Sequence, residues 1–147
     1  MKPYQGYKDY YTYVQSTFQK ARDNALNLLK TTTNIKFKPS QCESGYFVAL
    51  DVSGNEGLIP DRYKKPGNYE SDPNTLVFQR QFSNGRVPLD FQFCRYLAVE
   101  KGLVFMPLSS FCLEESPHKV ENMVRLAICK PAEAYLDENL IKRIKNL

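Results

Sequence analysis

The sequence predicts an α/β protein, a two-layer α+β sandwich with a mostly antiparallel sheet and its helices on one side. Three observations predict it. Tyr7, Tyr11, Val14, Phe18, Ala21, Ala25 and Leu28 recur at alternating spacings of four and three, a single apolar seam down a helix of about six turns. The run Gly45-Tyr46-Phe47-Val48-Ala49-Leu50-Asp51-Val52 is apolar on both faces, as an interior strand is. The order of segments reads α-β-β-loop-α-β-β-α without an internal repeat, which pairs strands through short turns and gathers the helices into one layer.

Taken in order, the first helix spans roughly residues 7–30, with Lys8, Thr12, Gln19, Arg22 and Asn27 on its wet face. Thr31-Thr32-Thr33-Asn34, poor helix formers, end it. Ile35-Lys36-Phe37-Lys38 alternates apolar and basic like a strand with one wet face, and Pro39 closes it. The strongest strand, residues 45–52, turns at Ser53-Gly54. A long surface loop follows at about 55–87, punctuated by prolines and glycines, with a short ordered piece at Leu76-Val77-Phe78. Pro88-Leu89-Asp90 opens a second helix whose buried stripe is Phe91, Cys94, Leu97 and Ala98, capped at its end by Gly102. Leu103-Val104-Phe105-Met106 is a buried strand. Leu108–Cys112 is a loop, and Glu114–His118 a polar turn. The last strand is Met123–Cys129. Pro131 then starts a final helix with Leu136, Leu140, Ile144 and Leu147 on its core face.

The 147 residues are enough for one domain, residues 1–147, burying roughly two-thirds of its unfolded surface. Twenty basic against sixteen acidic residues leave a mild +4. Lys142, Arg143 and Lys145 form the one dense basic cluster and read as a solvated helix face, so nucleic acid is not an expected partner. The longest apolar run, Leu103–Leu108, is far too short to span a bilayer. The first residues show neither a signal region nor a transit-peptide composition, which points to an intracellular compartment, mitochondrial matrix or cytosol. Cys42, Cys94, Cys112 and Cys129 are far apart and His118 is the only histidine, so no metal site is expected; all four read as buried free thiols.

The last strand carries the one chemical question. Alternation puts Val124, Leu126 and Ile128 on one side and Met123, Arg125, Ala127 and Cys129 on the other. A guanidinium stays charged and is costly to bury without an anion. Arg125 therefore calls for a side-chain carboxylate, solvent counterions, or the carboxylate of a ligand.

Several strings in one order narrow this. They are Lys20-Ala21-Arg22-Asp23, Gly45-Tyr46-Phe47, Phe91-Gln92-Phe93-Cys94-Arg95-Tyr96-Leu97, Lys101-Gly102-Leu103, Met106-Pro107-Leu108-Ser109-Ser110-Phe111 and Val124-Arg125-Leu126. Together they resemble the C-terminal small domain of class I/II pyridoxal-phosphate aminotransferases, in the kynurenine/glutamine transaminase and cysteine-conjugate β-lyase branch. The resemblance covers about residues 7–147. It implies the small-domain fold, and it implies that Arg125 takes the α-carboxylate of an amino-acid or keto-acid substrate, a planar fork meeting a planar anion. It implies further that Ser109, Ser110 and Phe111 line that site, while Tyr46 and Phe47 pack beneath the 107–111 loop.

The same resemblance exposes what is missing. Transamination needs a lysine joined to the cofactor and groups that hold its phosphate. No lysine here directly follows a serine, as the family's motif requires, and the seven glycines are scattered. In the family those groups belong to a large domain. The expectation is a chain with no catalytic and no cofactor-binding residue of its own, an accessory or structural subunit of a larger assembly with other protein subunits as partners. The exposed loop at 55–87 and the tyrosines at 4, 7, 10, 11 and 13 are the expected contact surfaces. The alternative is the carboxylate-binding half of a split aminotransferase, or a fragment of one, with pyridoxal phosphate supplied only in partnership with a large domain.

Overall fold

The computed structural model describes residues 2–43, 45–65, 86–112 and 120–147. Within them run α1 (Tyr10–Leu29), β1 (Lys38–Pro39), β2 (Phe47–Asp51), a 3-10 turn (Glu56–Leu58) and α2 (Asp61–Lys64). Next come α3 (Leu89–Tyr96) with a π-turn (Leu97–Lys101), β3 (Met106–Pro107), a 3-10 turn (Leu108–Phe111) and β4 (Met123–Ala127). A 3-10 turn (Ala132–Leu136) and α4 (Glu138–Lys145) complete the order. The four strands lie in the order β1-β2-β4-β3. β3 pairs antiparallel with β4, Met106 opposite Arg125 and Pro107 opposite Val124. The Ile128 N–H donates to the Tyr46 carbonyl at 2.8 Å and the Val52 N–H to the Asn122 carbonyl at 2.9 Å, so β2 and β4 also run antiparallel. Mixed helix and antiparallel sheet is the predicted class, and the strand that is apolar on both faces takes an interior place.

The chain divides into two compact units, residues 1–48 with 126–147 and residues 49–125. In the first, α1 starts three residues later than the seam suggests. Asp9 caps it, its carboxylate accepting from the Thr12 N–H at 2.8 Å and the Thr12 hydroxyl at 3.0 Å. Tyr4 and Tyr7 instead pair through two backbone hydrogen bonds across a tight turn. Its two central residues sit at positive φ, Gln5 at 44° and Gly6 at 81°. The seam is buried only in its second half, at Ala21, Ala25 and Leu28, whereas Tyr11 is exposed. Asn24 donates to the Ala132 carbonyl at 3.0 Å, which ties α1 to the turn after β4.

That turn corrects the expected last helix. Pro131 begins a 3-10 turn that breaks at Asp137. Asp137 then caps α4, accepting from the Leu140 N–H at 2.9 Å. The break takes Leu136 off the core face and leaves it exposed, while Ile144 and Leu147 stay buried. Lys142, Arg143 and Lys145 are exposed, as a solvated face requires.

In the second unit, the residues after β2 are more ordered than a surface loop. Asn55 is buried and donates to the Val52 carbonyl at 2.7 Å. Ile59 and Tyr63 are also buried, and the Tyr63 hydroxyl donates to Glu100 at 2.7 Å. Residues 66–85, with the expected ordered piece at Leu76-Val77-Phe78, lie outside the described residues, as does the 114–118 turn with His118. Phe91, Cys94 and Leu97 are buried as expected; Ala98 is exposed, and Phe93 is wholly buried beside them. Gly102 ends the helix in the left-handed region at φ 64°, its N–H reaching the Leu97 carbonyl. Of the strand expected at 103–106 only Met106 pairs. Leu103 and Phe105 point inward and Val104 outward.

Two burial expectations change. Among the cysteines only Cys94 is buried; Cys42 and Cys112 are half-buried and Cys129 is exposed. Burial pushes the Cys94 thiol well above its ordinary range, so it is inert as a nucleophile. On β4, Val124 and Ile128 are buried and Ala127 and Cys129 exposed, so the Arg125 side of the strand is the wetter one.

Candidate functional site

Arg125, the residue singled out from sequence, lies in the middle of β4, half-buried, in register with Met106 on β3. The pairing brings the two side chains together: Arg125 Nη2 donates to Met106 Sδ at 3.0 Å. The Phe111 ring covers the guanidinium, with 4.3 Å from its central carbon to the ring centroid. Cation and ring at that distance attract, by about 0.5–1 kcal/mol where water has access. The ring screens the guanidinium from one side, and a guanidinium can meet a carboxylate as a two-pronged fork.

Phe111 comes from the 3-10 turn that follows β3. Pro107 is the last paired residue, and its missing N–H suits the end of a strand where the chain curls away. The Cys112 N–H closes the turn on the Ser109 carbonyl at 3.2 Å. Ser109 is buried, Ser110 half-buried and Phe111 exposed. Of the three residues expected to line the site, Phe111 touches Arg125, while Ser109 serves the turn through its backbone.

Beneath the turn lies a residue that sequence reading passed over as a helix opener. Asp90, in the first turn of α3, has no exposed surface. Its Oδ1 accepts from the Phe91 N–H at 2.9 Å and its Oδ2 from the Ser109 N–H at 2.8 Å. Burial raises its carboxyl to about 6, against the pull of the Ser109 and Phe91 hydrogen bonds. The signal in the sequence is an acid flanked by apolar neighbours, Val87-Pro88-Leu89 before it and Phe91 after it, where a desolvated carboxylate must find donors.

Tyr46 and Phe47, expected to pack beneath a loop, are both exposed, and Tyr46 packs edge-on against Phe18 at 4.8 Å. Tyr46 lines a cleft of about 560 Å³ beside α1, with Val14, Phe18, Arg22, Cys42 and Ile128. Among the described residues no three His, Cys, Asp or Glu side chains gather as a metal site would need. No described helix is long and apolar enough to cross a membrane.

No protein-family model matches the chain. It is 31% identical over 134 residues to the probable kynurenine–oxoglutarate transaminase BNA3 of Saccharomyces cerevisiae, a match covering 88% of this chain and 26% of that protein. To kynurenine–oxoglutarate transaminase 3 of Homo sapiens it is 27% identical over 135 residues, covering 90% of this chain and 24% of the relative. The fold resembles the crystal structure of Bna3p from S. cerevisiae, with a TM-score of 0.61 and 23% identity across 92% of this chain and 27% of that one. It also resembles YbdL of Escherichia coli, whose structure is described with a methionine aminotransferase function. There the TM-score is 0.52 and the identity 22%, over 88% of this chain and 24% of that one. The chain spans about a quarter of the length of the curated relatives it matches.

Proposed function

We propose, from the premise that this chain is an aminotransferase-like segment with the small-domain fold of the class I/II pyridoxal-phosphate enzymes, that it performs the binding half of their work. Arg125 holds the α-carboxylate of an amino acid or 2-oxo acid, and the described residues bring no lysine placed to join a cofactor. The observation that carries the reading is the guanidinium held against an aromatic ring. Phe111 lies over the cation, and Met106 gives one of its donors a weak thioether acceptor. An arriving carboxylate exchanges that for charge-assisted bonds.

Pyridoxal phosphate, which the fold family implies, does not fit the described residues alone. A lysine that joins the cofactor has to sit desolvated beside it. Every described lysine is exposed or only half-buried, and none lines the cleft on α1. Any such cofactor would be held by another polypeptide segment, and no step through it is assigned to this chain.

The test is a titration of the purified chain with 2-oxoglutarate or kynurenine, followed by NMR. Arg125→Ala is expected to weaken binding at least tenfold, the loss of one charge-assisted bond of about 1.5–3 kcal/mol. Equal affinity for the two proteins would refute the reading.

A second reading, an accessory subunit that binds no substrate, is favoured by the start of α1. Tyr10 and Tyr11 are exposed there and meet edge-on at 6.2 Å, with Tyr4 edge-on to Tyr10 at 5.3 Å. Aromatic clusters of this kind anchor protein interfaces. Purification from the source separates the two. A coloured complex with pyridoxal absorbance and transaminase turnover supports the shared site. A colourless assembly that Arg125→Ala leaves intact supports the accessory role.

A further inference from the structure

We propose that Asp90 is a positioning residue for Arg125, acting through the Ser109 turn and the Phe111 ring. The inference deepens the carboxylate-binding reading and takes its functional meaning from it.

A cap for α3 would not need a carboxylate. An Asn or Ser accepts a hydrogen bond from its own helix equally well, without a charge to desolvate. What the carboxylate adds is a second oxygen. One oxygen holds Phe91 on its own helix, and the other reaches Ser109, nineteen residues along the chain. Two backbone amides from different segments thereby share one rigid acceptor.

The tether matters because of what it holds. Phe111 is 56% exposed, so packing does little to fix its ring. Its place is set by the backbone of the Leu108–Phe111 turn, which closes on the Ser109 carbonyl and hangs from Asp90 by the Ser109 N–H. Two residues on, the ring sits over the guanidinium. Loss of the Ser109 tether leaves the turn attached at Pro107 but free to swing, and the face of Arg125 is uncovered.

The experiment follows the Arg125 Nε–Hε cross-peak in the 147-residue chain. Phe111→Leu gives its position without the ring. Asp90→Asn, which keeps one acceptor and loses the second, is expected to carry the peak at least half of the way to the Phe111→Leu position, with the amide spectrum otherwise folded. A peak that stays at the wild-type position overturns the proposal. Should Asp90→Asn fail to fold, wild-type protein decides. Its Arg125 peak is expected to move with a midpoint near 6 as Asp90 takes up a proton, in a Glu121→Gln background as well. A flat response overturns the proposal. Glu121 is the control because, among the described residues, the titratable groups set against Asp90 are Cys94 on its own helix and Glu121 before β4, itself paired with Arg86. The readout needs no substrate, so failure of carboxylate binding in the Arg125→Ala titration and failure of this coupling are separate results.

Discussion

Replacing Asp90 by Asn should change how the stability of the protein depends on pH. The carboxyl is buried and its pKa rises from 3.8 to about 6, mainly because burial penalises the ionised form. A raised acid binds its proton more tightly in the folded chain than in the unfolded one. Between the two values the folded state therefore carries more protons, and stability falls as pH rises. The contribution is fully present below about 4, declines through the interval and is gone above about 6. An interval of about two pH units, at about 1.36 kcal/mol for each, amounts to about 3 kcal/mol. Asn cannot titrate, so the variant lacks this slope, whatever it loses in hydrogen bonding at all pH values. The assay is urea denaturation of both proteins at closely spaced pH between 4 and 7.5. The stability of Asp90→Asn relative to wild type should improve by about 3 kcal/mol from the acid end to the neutral end. Parallel curves would refute the reasoning, since they would mean that the carboxylate ionises inside the fold at no cost.

Three further outcomes are expected. Phe93→Ala, which empties a site with no exposed surface, should cost about 3–5 kcal/mol in the same denaturation experiment. Cys129 should alkylate in the native protein while Cys94, buried and with its thiol held protonated, reacts only on unfolding, as mass spectrometry after timed labelling would show. Met106→Glu places a carboxylate opposite Arg125 in the strand pair, so 2-oxoglutarate affinity should fall about as far as in Arg125→Ala, whereas Met106→Leu should leave it within about twofold.

Periodicity located the long helix, the interior strand and the helix closed by Gly102, because each rests on rules that act within a few residues. It could not say which part of a seam is covered. Tyr11 and Ala25 stand on one stripe of α1, yet Tyr11 is exposed and Ala25 buried, since only the second half of the helix meets the turn at Ala132. The late start of α1 and the break at Asp137 both come from aspartates that cap, Asp9 and Asp137, and short side-chain caps compete with apolar spacing at every helix end. Met106 beside Arg125 was equally out of reach, because strand register depends on partners distant in sequence.

The candidate site shows the same limit in a more useful form. A lone Arg in a strand is compatible with a wet face, an ion pair or a ligand, and alternation alone does not choose among them. What chooses is the character of its neighbours. Were Arg125 a structural cation, the economical partner would be a carboxylate opposite it on β3, where a cross-strand pair forms without ordering a loop. That position holds Met106, and an aromatic ring lies over the guanidinium face. A thioether and a ring give a guanidinium a fixed place on the strand pair. Around it the turn is tied down by a buried acid, at a cost that the stability of the turn alone does not require. A desolvated carboxylate that holds the turn also holds the ring over the cation, and so links the buried start of α3 to the place of Arg125.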